Sequence, residues 1–139
     1  MKQTTRKTRQ GELILGYLRS VTCHPTAEEI HQAVVRHMPQ ISLGTVYRNL
    51  GKLAETGEIQ LIENTGGQRR YDGNPVSHVH ASCTTCGRVA DVDIHRETLD
   101  RLRNIADTSE CGFKVTDYRL QLVGQCPQCN SNNPESCLD

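Results

Sequence analysis

Apolar residues recur at helical spacing three times in the first half of the chain. Residues 11–20 carry Leu13, Leu15, Tyr17 and Leu18 and predict a first helix. Thr26-Ala27-Glu28-Glu29 follows Pro25. A Thr at the N-cap with Glu at the third helical position is a capping box, and it opens a second helix running to about residue 37. Pro39 ends the connection, Ser42 caps a third helix from 43 to about 56, and Gly57 stops it. In this third helix Leu43, Val46, Leu50, Leu53 and Ala54 share one face. Thr45, Arg48, Asn49 and Lys52 share the opposite face, with Tyr47 at the edge. The pattern then changes. Residues 58–63 and 68–72 read as strands around a turn at Asn64-Thr65-Gly66-Gly67. Three helices and a hairpin predict a winged helix-turn-helix over residues 1–73.

The second half is patterned differently. Residues 72–78 are turn-rich and read as a hinge. Short strands are expected at 78–81 and 89–93, either side of Cys83-Thr84-Thr85-Cys86-Gly87. Leu99, Leu102, Ile105 and Ala106 give helical spacing over 95–108, with Asp93 as the expected N-cap. Residues 113–123 alternate and predict a long strand, with Val115, Leu120 and Leu122 as core positions. The Asn/Ser-rich stretch 130–139 predicts disorder. Residues 74–139 thus form a second, smaller α/β unit, and the fold class is α+β.

Composition sharpens this picture. One Phe, four Tyr and no Trp leave little aromatic area for a core, which points to help from a metal or a partner subunit. The net charge is zero but unevenly spread: residues 1–72 hold ten Lys/Arg against seven Asp/Glu, and residues 73–139 hold six against nine. A basic front half suits a polyanion such as double-stranded DNA, and an acidic back half suits cations. No apolar run approaches the ~20 residues that span a membrane, and no apolar signal segment opens the chain. A cytoplasmic protein with no membrane partner is expected. Seven cysteines without a secretion signal favour reduced thiols and metal over disulfides.

The chemistry-bearing motifs follow from that. Cys83-x-x-Cys86 and Cys126-x-x-Cys129 each offer two thiolates to one tetrahedral zinc, and four close a structural site. Cys23, Cys111 and Cys137 stand outside this pattern. His78 and His80 alternate, so on a strand both imidazoles share a face, which suits a second metal with nitrogen and oxygen donors. Such a site belongs to a sensor or to a metalloenzyme. In the winged-helix reading the third helix enters the major groove. Thr45, Arg48, Asn49 and Lys52 then face phosphates and base edges, Tyr47 packs on thymine methyls, and Arg69 and Arg70 of the hairpin hold backbone phosphate.

These residues together resemble the Fur family of metal-responsive repressors over nearly the whole chain. The resemblance rests on His24-Pro25-Thr26-Ala27, Thr45-Val46-Tyr47-Arg48-Asn49-Leu50, His78-x-His80-x-x-Cys83-x-x-Cys86-Gly87 and the Cys126/Cys129 pair. It implies a homodimer with an N-terminal winged helix and a C-terminal α/β dimerisation domain, binding AT-rich inverted repeats when a regulatory metal is loaded. The pattern is most similar to the peroxide-sensing branch. That likeness implies a regulatory Fe(II) or Mn(II) site of His24, Asp72, His78, His80 and Asp91, beside the zinc held by Cys83, Cys86, Cys126 and Cys129. A ferrous-iron-uptake regulator is the alternative within the family, and a metalloenzyme the alternative outside it. The chain reads Gly11 where relatives place the last Arg of a motif before the first helix, leaving Arg9 as the nearby cation for DNA.

Overall fold

The computed structural model describes residues 8–63, 68–76, 78–107, 112–114 and 120–130. The turn expected at 64–67, most of the strand expected over 113–123 (with Val115), Cys111, Cys137 and the tail from 131 lie outside them.

Helix α1 spans Arg9–Ser20, two residues earlier than its apolar pattern suggests, because the Thr8 side chain accepts from the Gly11 amide and caps it. Helix α2 spans Ala27–Val34 and shows both halves of the capping box: the Thr26 hydroxyl accepts from the Glu29 amide, and the Glu29 carboxylate from the Thr26 amide. Helix α3 spans Leu43–Glu55, with Ser42 at its N-cap. It ends in a Schellman motif. Gly57 takes φ +74°, its amide bonds Ala54 O, and the Glu58 amide reaches Leu53 O. Strands β1 (Gln60–Glu63) and β2 (Arg69–Asp72) pair antiparallel with Leu61 opposite Tyr71.

The core lies among the three helices. Ile14, Leu15 and Leu18 of α1 meet Ala27, Ile30 and Val34 of α2 and Val46, Leu50 and Leu53 of α3, and Tyr71 closes the bottom from β2. Ile14 is fully buried, whereas Leu13 and Tyr17 only flank the cluster. The apolar face expected of α3 is the buried one, except that Leu43 and Ala54 are only half-buried. Gly73 follows β2 against the end of α1: a Cβ there would sit 2.6 Å from the Leu18 carbonyl oxygen.

The segment after β2 is not a free hinge. Asp72 Oδ1 accepts from the Asn74 amide and Asn74 Oδ1 from the Val76 amide, while Gln60 donates to the carbonyls of Asn74 and Val76. It leads into β3 (Val79–Cys83), the centre of a three-stranded sheet of order β4-β3-β5. Strand β4 (Val89–Val92) is antiparallel to β3 and β5 (Gln121–Gly124) parallel to it. Helix α4 covers Arg96–Asp107. The Thr98 and Leu99 amides bond back to His95 O, so the cap position falls two residues after Asp93. Of the strand expected over 113–123, the described part is β5; Phe113 is 79% exposed and outside any strand, and Leu122 is exposed on β5 and not in the core. The short α5 (Pro127–Asn130) ends the described chain.

Candidate metal centres

The β3–β4 turn holds one cluster. The Cys83 amide bonds Arg88 O and the Gly87 amide bonds Cys83 O, with Gly87 at φ +75°. This wraps the chain tightly between Cys83 and Cys86. Strand β5 then delivers the second pair: the Thr84 amide bonds Gly124 O, and the Cys126 amide points at Cys83 Sγ. All four sulfurs fall within 4.8 Å of one another, and Cys86 and Cys126 are 3.8 Å apart. Tetrahedral Zn–S bonds of ~2.3 Å put sulfurs about 3.8 Å apart, so the thiols fit that ion. Burial works against ionising Cys83, but the amides of Cys126, Cys86 and Thr85 outweigh it and bring the thiol down to about 6. Burial and the neighbouring Cys83 thiol push Cys86 up.

The second cluster joins the two halves of the molecule. His24 lies just before α2, Asp72 ends β2, His78 precedes β3, His80 is on β3 and Asp91 on β4. Their donor atoms lie within 4.8 Å of one another. Asp72 Oδ2 is 3.3, 2.8 and 3.0 Å from the Nε2 atoms of His24, His78 and His80. Asp91 Oδ1 is 2.9, 2.9 and 3.4 Å from the same three. Such spacing, about 3 Å, is what neighbouring donors keep around one small divalent ion.

The outer atoms support that orientation. His24 Nδ1 lies 3.0 Å from Val89 O and His78 Nδ1 lies 2.6 Å from Val76 O. A proton on each Nδ1 leaves the Nε2 lone pairs pointing inward, the tautomer a metal needs. His24, Asp72 and His80 are buried, while the Asp91 side chain is 54% exposed, so the cluster opens to solvent on that side. Burial disfavours charge on His24, Asp72 and His78, but the pairing overrides it. His24 is raised by Asp72 and Asp91; His78 is raised by the Val76 carbonyl and the same two carboxylates. Asp72 is held well below the usual carboxylate range by His24, the Asn74 amide and His80.

On α3, Arg48 and Lys52 are exposed, and Arg9 and Arg69 are exposed nearby. Arg69 lies 3.7 Å from Glu63, an exposed contact of about 0–1 kcal/mol that a phosphate easily replaces. Tyr47 is exposed, with its hydroxyl donating to Glu28 at 2.8 Å. Thr45 and Asn49 are only half-exposed. The Thr45 hydroxyl pairs with Ser42 Oγ. Asn49 donates to Thr45 O and accepts from the Thr8 hydroxyl. Reaching a base would first cost Asn49 two bonds of about 1 kcal/mol each, so here it ties α3 to α1. Gly11 makes that tie possible, since a Cβ there would lie 3.1 Å from Asn49 Oδ1. Arg70 departs most from expectation: its side chain is turned inward, not towards solvent. Neither Arg70 nor Gly73 carries a spacing signal that marks its place.

The chain matches the Ferric uptake regulator family over residues 2–123. It belongs to that family. It is 36% identical to the peroxide operon regulator of Bacillus subtilis (strain 168), over 94% of this chain and 88% of that protein. It is 35% identical to the peroxide-responsive repressor PerR of Staphylococcus epidermidis, over 92% and 83%. Among solved structures, the Campylobacter jejuni peroxide stress regulator superposes with a TM-score of 0.71 at 27% identity, over 86% of this chain and 88% of that one. The family resemblance and the α+β fold read from the motifs therefore hold, and the two clusters are a zinc-like site of four cysteines and a His/Asp site suited to a regulatory metal. The family match stops before Cys126, so the second thiol pair is tied to the first by geometry. No helix among the described residues is long and apolar enough to cross a membrane.

Proposed function

We propose that this chain is a metal-dependent repressor that binds DNA as a homodimer and releases it on contact with peroxide. The observation that carries the reading is the five-residue cluster, in which His24 and Asp72 of the winged helix meet His78, His80 and Asp91 of the sheet. Residues 1–73 serve as the DNA-binding domain and 74–139 as the metal-binding dimerisation domain. Cys83, Cys86, Cys126 and Cys129 hold structural zinc, and the His/Asp cluster holds Fe(II) or Mn(II). Its nitrogen and oxygen donors are harder than thiolates and suit those ions.

The residues divide the work. His24 and Asp72 fix the winged helix against His78, His80 and Asp91, which favours the dimer geometry that places two α3 helices one DNA turn apart. Arg48, Lys52, Arg9 and Arg69 present cations to the phosphates, and Tyr47 and Thr45 lie where base edges pass. Asn49 ties α3 to Thr8 at the start of α1. Two relatives known for peroxide responses support the finer reading, as does the solvent opening at Asp91, through which a small oxidant reaches the ligands. Iron held by these five residues would supply one-electron chemistry with peroxide. The imidazole of His24 or His78 would then exchange a ring C–H for a C–O bond, one peroxide oxygen entering the ring and the other leaving as water, and the clip would open.

The test loads zinc-containing protein with Fe(II) or Mn(II), adds peroxide, and reads operator binding and peptide mass. An inverted-repeat duplex should be bound only with metal present. The Fe(II) form should gain one oxygen on His24 or His78 and release DNA, and the Mn(II) form should do neither. Equal insensitivity of both forms favours the iron-uptake alternative; oxygen on cysteines alone removes the peroxide reading.

A further inference from the structure

Arg70 stands on the wing but does not face where DNA would lie. Side chains alternate along β2, so Arg70 and Asp72 share one face and Arg69 and Tyr71 the other. Arg69 is 62% exposed at its side chain, Arg70 only 14%. The Arg70 Nη1 donates to the carbonyl oxygen of His24 at 2.8 Å and lies 3.8 Å from Glu29 Oε2. That same Glu29 oxygen accepts from the Thr26 amide in the capping box of α2. Beside it the Tyr71 amide bonds Pro25 O at 3.0 Å.

His24 is therefore gripped at both ends by one strand face. Arg70 holds its carbonyl, and Asp72 lies against its imidazole. The Arg70 Nε–H is buried with no partner among the described residues. A guanidinium turned inward at that cost is poorly explained by solubility or by a phosphate contact. We propose that Arg70 is a positioning residue for the regulatory centre. It holds His24 in place against Asp72 before any ion arrives, so the two ligands supplied by the winged helix are already set. It also ties the wing to the capped end of α2, so an ion that draws in His24 draws in the wing with it.

This rests on reading the five-residue cluster as a metal site, and the test separates the two claims. Full-length, zinc-loaded wild type, Arg70→Lys and Arg70→Met are titrated with Mn(II), following the resonance of the free ion. Partners that orient metal ligands typically matter by about 10- to 100-fold in affinity. Arg70→Met is expected to weaken Mn(II) binding by that range. Arg70→Lys keeps one donor for the His24 carbonyl and should fall between it and wild type. Zinc content should be unchanged in both. Glu29→Gln, which leaves the wing untouched, should give a smaller loss in the same direction, and with Arg70→Lys it carries the test if Arg70→Met does not fold.

A merely structural role would lower the melting temperature of metal-free protein and leave the Mn(II) affinity of the folded fraction as in wild type, which would overturn the proposal. So would unchanged Mn(II) affinity with the salt slope of DNA binding reduced by about one, the signature of a lost phosphate contact. Wild type that binds no Mn(II) overturns the reading of the cluster, and this inference with it; wild type that binds while all variants match it overturns the inference alone.

Discussion

The two ligand clusters differ in what they join. The thiols come as two Cys-x-x-Cys pairs, one on the β3–β4 turn and one running from just after β5 into α5, so all four belong to the C-terminal half. The imidazoles and carboxylates come from the segment before α2, the end of β2, the lead into β3, β3 itself and β4. Metal in the first would hold one sheet region together, and metal in the second would hold the helical half and the sheet in one relation. Four sulfurs close a tetrahedral shell, whereas the His/Asp cluster leaves Asp91 half in water. A staple should be needed for folding, and a clip should be removable from a folded protein.

Cys126→Ser breaks the staple and is the largest effect expected. Structural zinc contributes on the order of 10 kcal/mol in small domains, more than a unit with so little aromatic core can lose. The variant should lose zinc and, with it, the stable dimer, read by metal analysis and sedimentation. A dimeric variant with unchanged melting would make the thiols incidental.

Asp72→Ala breaks only the clip. Asp72 contacts three imidazoles, so its loss removes a ligand and leaves three ring nitrogens facing one another. Mn(II) affinity should fall by about 100-fold or more, taking Mn(II)-dependent operator binding with it, while zinc and the dimer remain. Loss of zinc in this variant would mean that the two clusters are not independent.

The same contrast decides what is legible in the sequence. Cys-x-x-Cys pairs announce a zinc site by spacing, and the capping box at Thr26 and the Gly57 stop announce helix ends by local chemistry. His24 and Asp72 have no local signature and enter only through the family resemblance. Beside them stand the close approach of Gly73 to Leu18 and the Arg70 bond to the His24 carbonyl, which no spacing encodes. Arg70 misleads because a cation beside Arg69 in a wing reads as a phosphate contact until the strand's alternation is seen against α2. Leu122 misleads in the other direction. It alternates like a core residue, but it is exposed on β5, the edge strand of the described sheet.

Acidity separates the clusters further. In metal-free protein His24 and His78 titrate above their ordinary 6.5. Their pairs with Asp72 and Asp91 thus stabilise the fold fully below about 6.5 and cease to as pH rises through the raised values. Asp72, held below its ordinary 3.8, contributes above that pH and loses its contribution only as pH falls through its depressed value. Metal needs the imidazoles neutral, so its affinity runs the other way. Mn(II) binding should strengthen from pH 6 to pH 8, with a slope approaching about two log units per pH unit where both histidines start protonated. Metal-free melting should drift slightly down over the same range. A flat Mn(II) titration would mean that these histidines are not displaced as acids.

The smallest effect expected comes from Gly73→Ala, and it sharpens the comparison most finely, because it touches neither cluster directly. The added Cβ would lie 2.6 Å from Leu18 O and 3.0 Å from the Arg19 amide nitrogen, and both are backbone atoms at the end of α1 that have no flexible tip to move. Relief therefore requires the end of β2 to shift away from α1, carrying Asp72 with it. Overpacking of this kind costs about 1–3 kcal/mol, so metal-free melting should fall by a few degrees, on the order of the shift such a change brings. Asp72 is one of five residues in the cluster, and displacing it is a weaker perturbation than removing it, so Mn(II) affinity should fall by less than in Asp72→Ala. The four-cysteine site, anchored on β3 and β5, should keep its zinc. Paired calorimetry and Mn(II) titration check both halves of this expectation. Reduced melting with wild-type Mn(II) affinity would show that the centre tolerates movement of the strand that carries Asp72, and that its geometry is set from the sheet side instead.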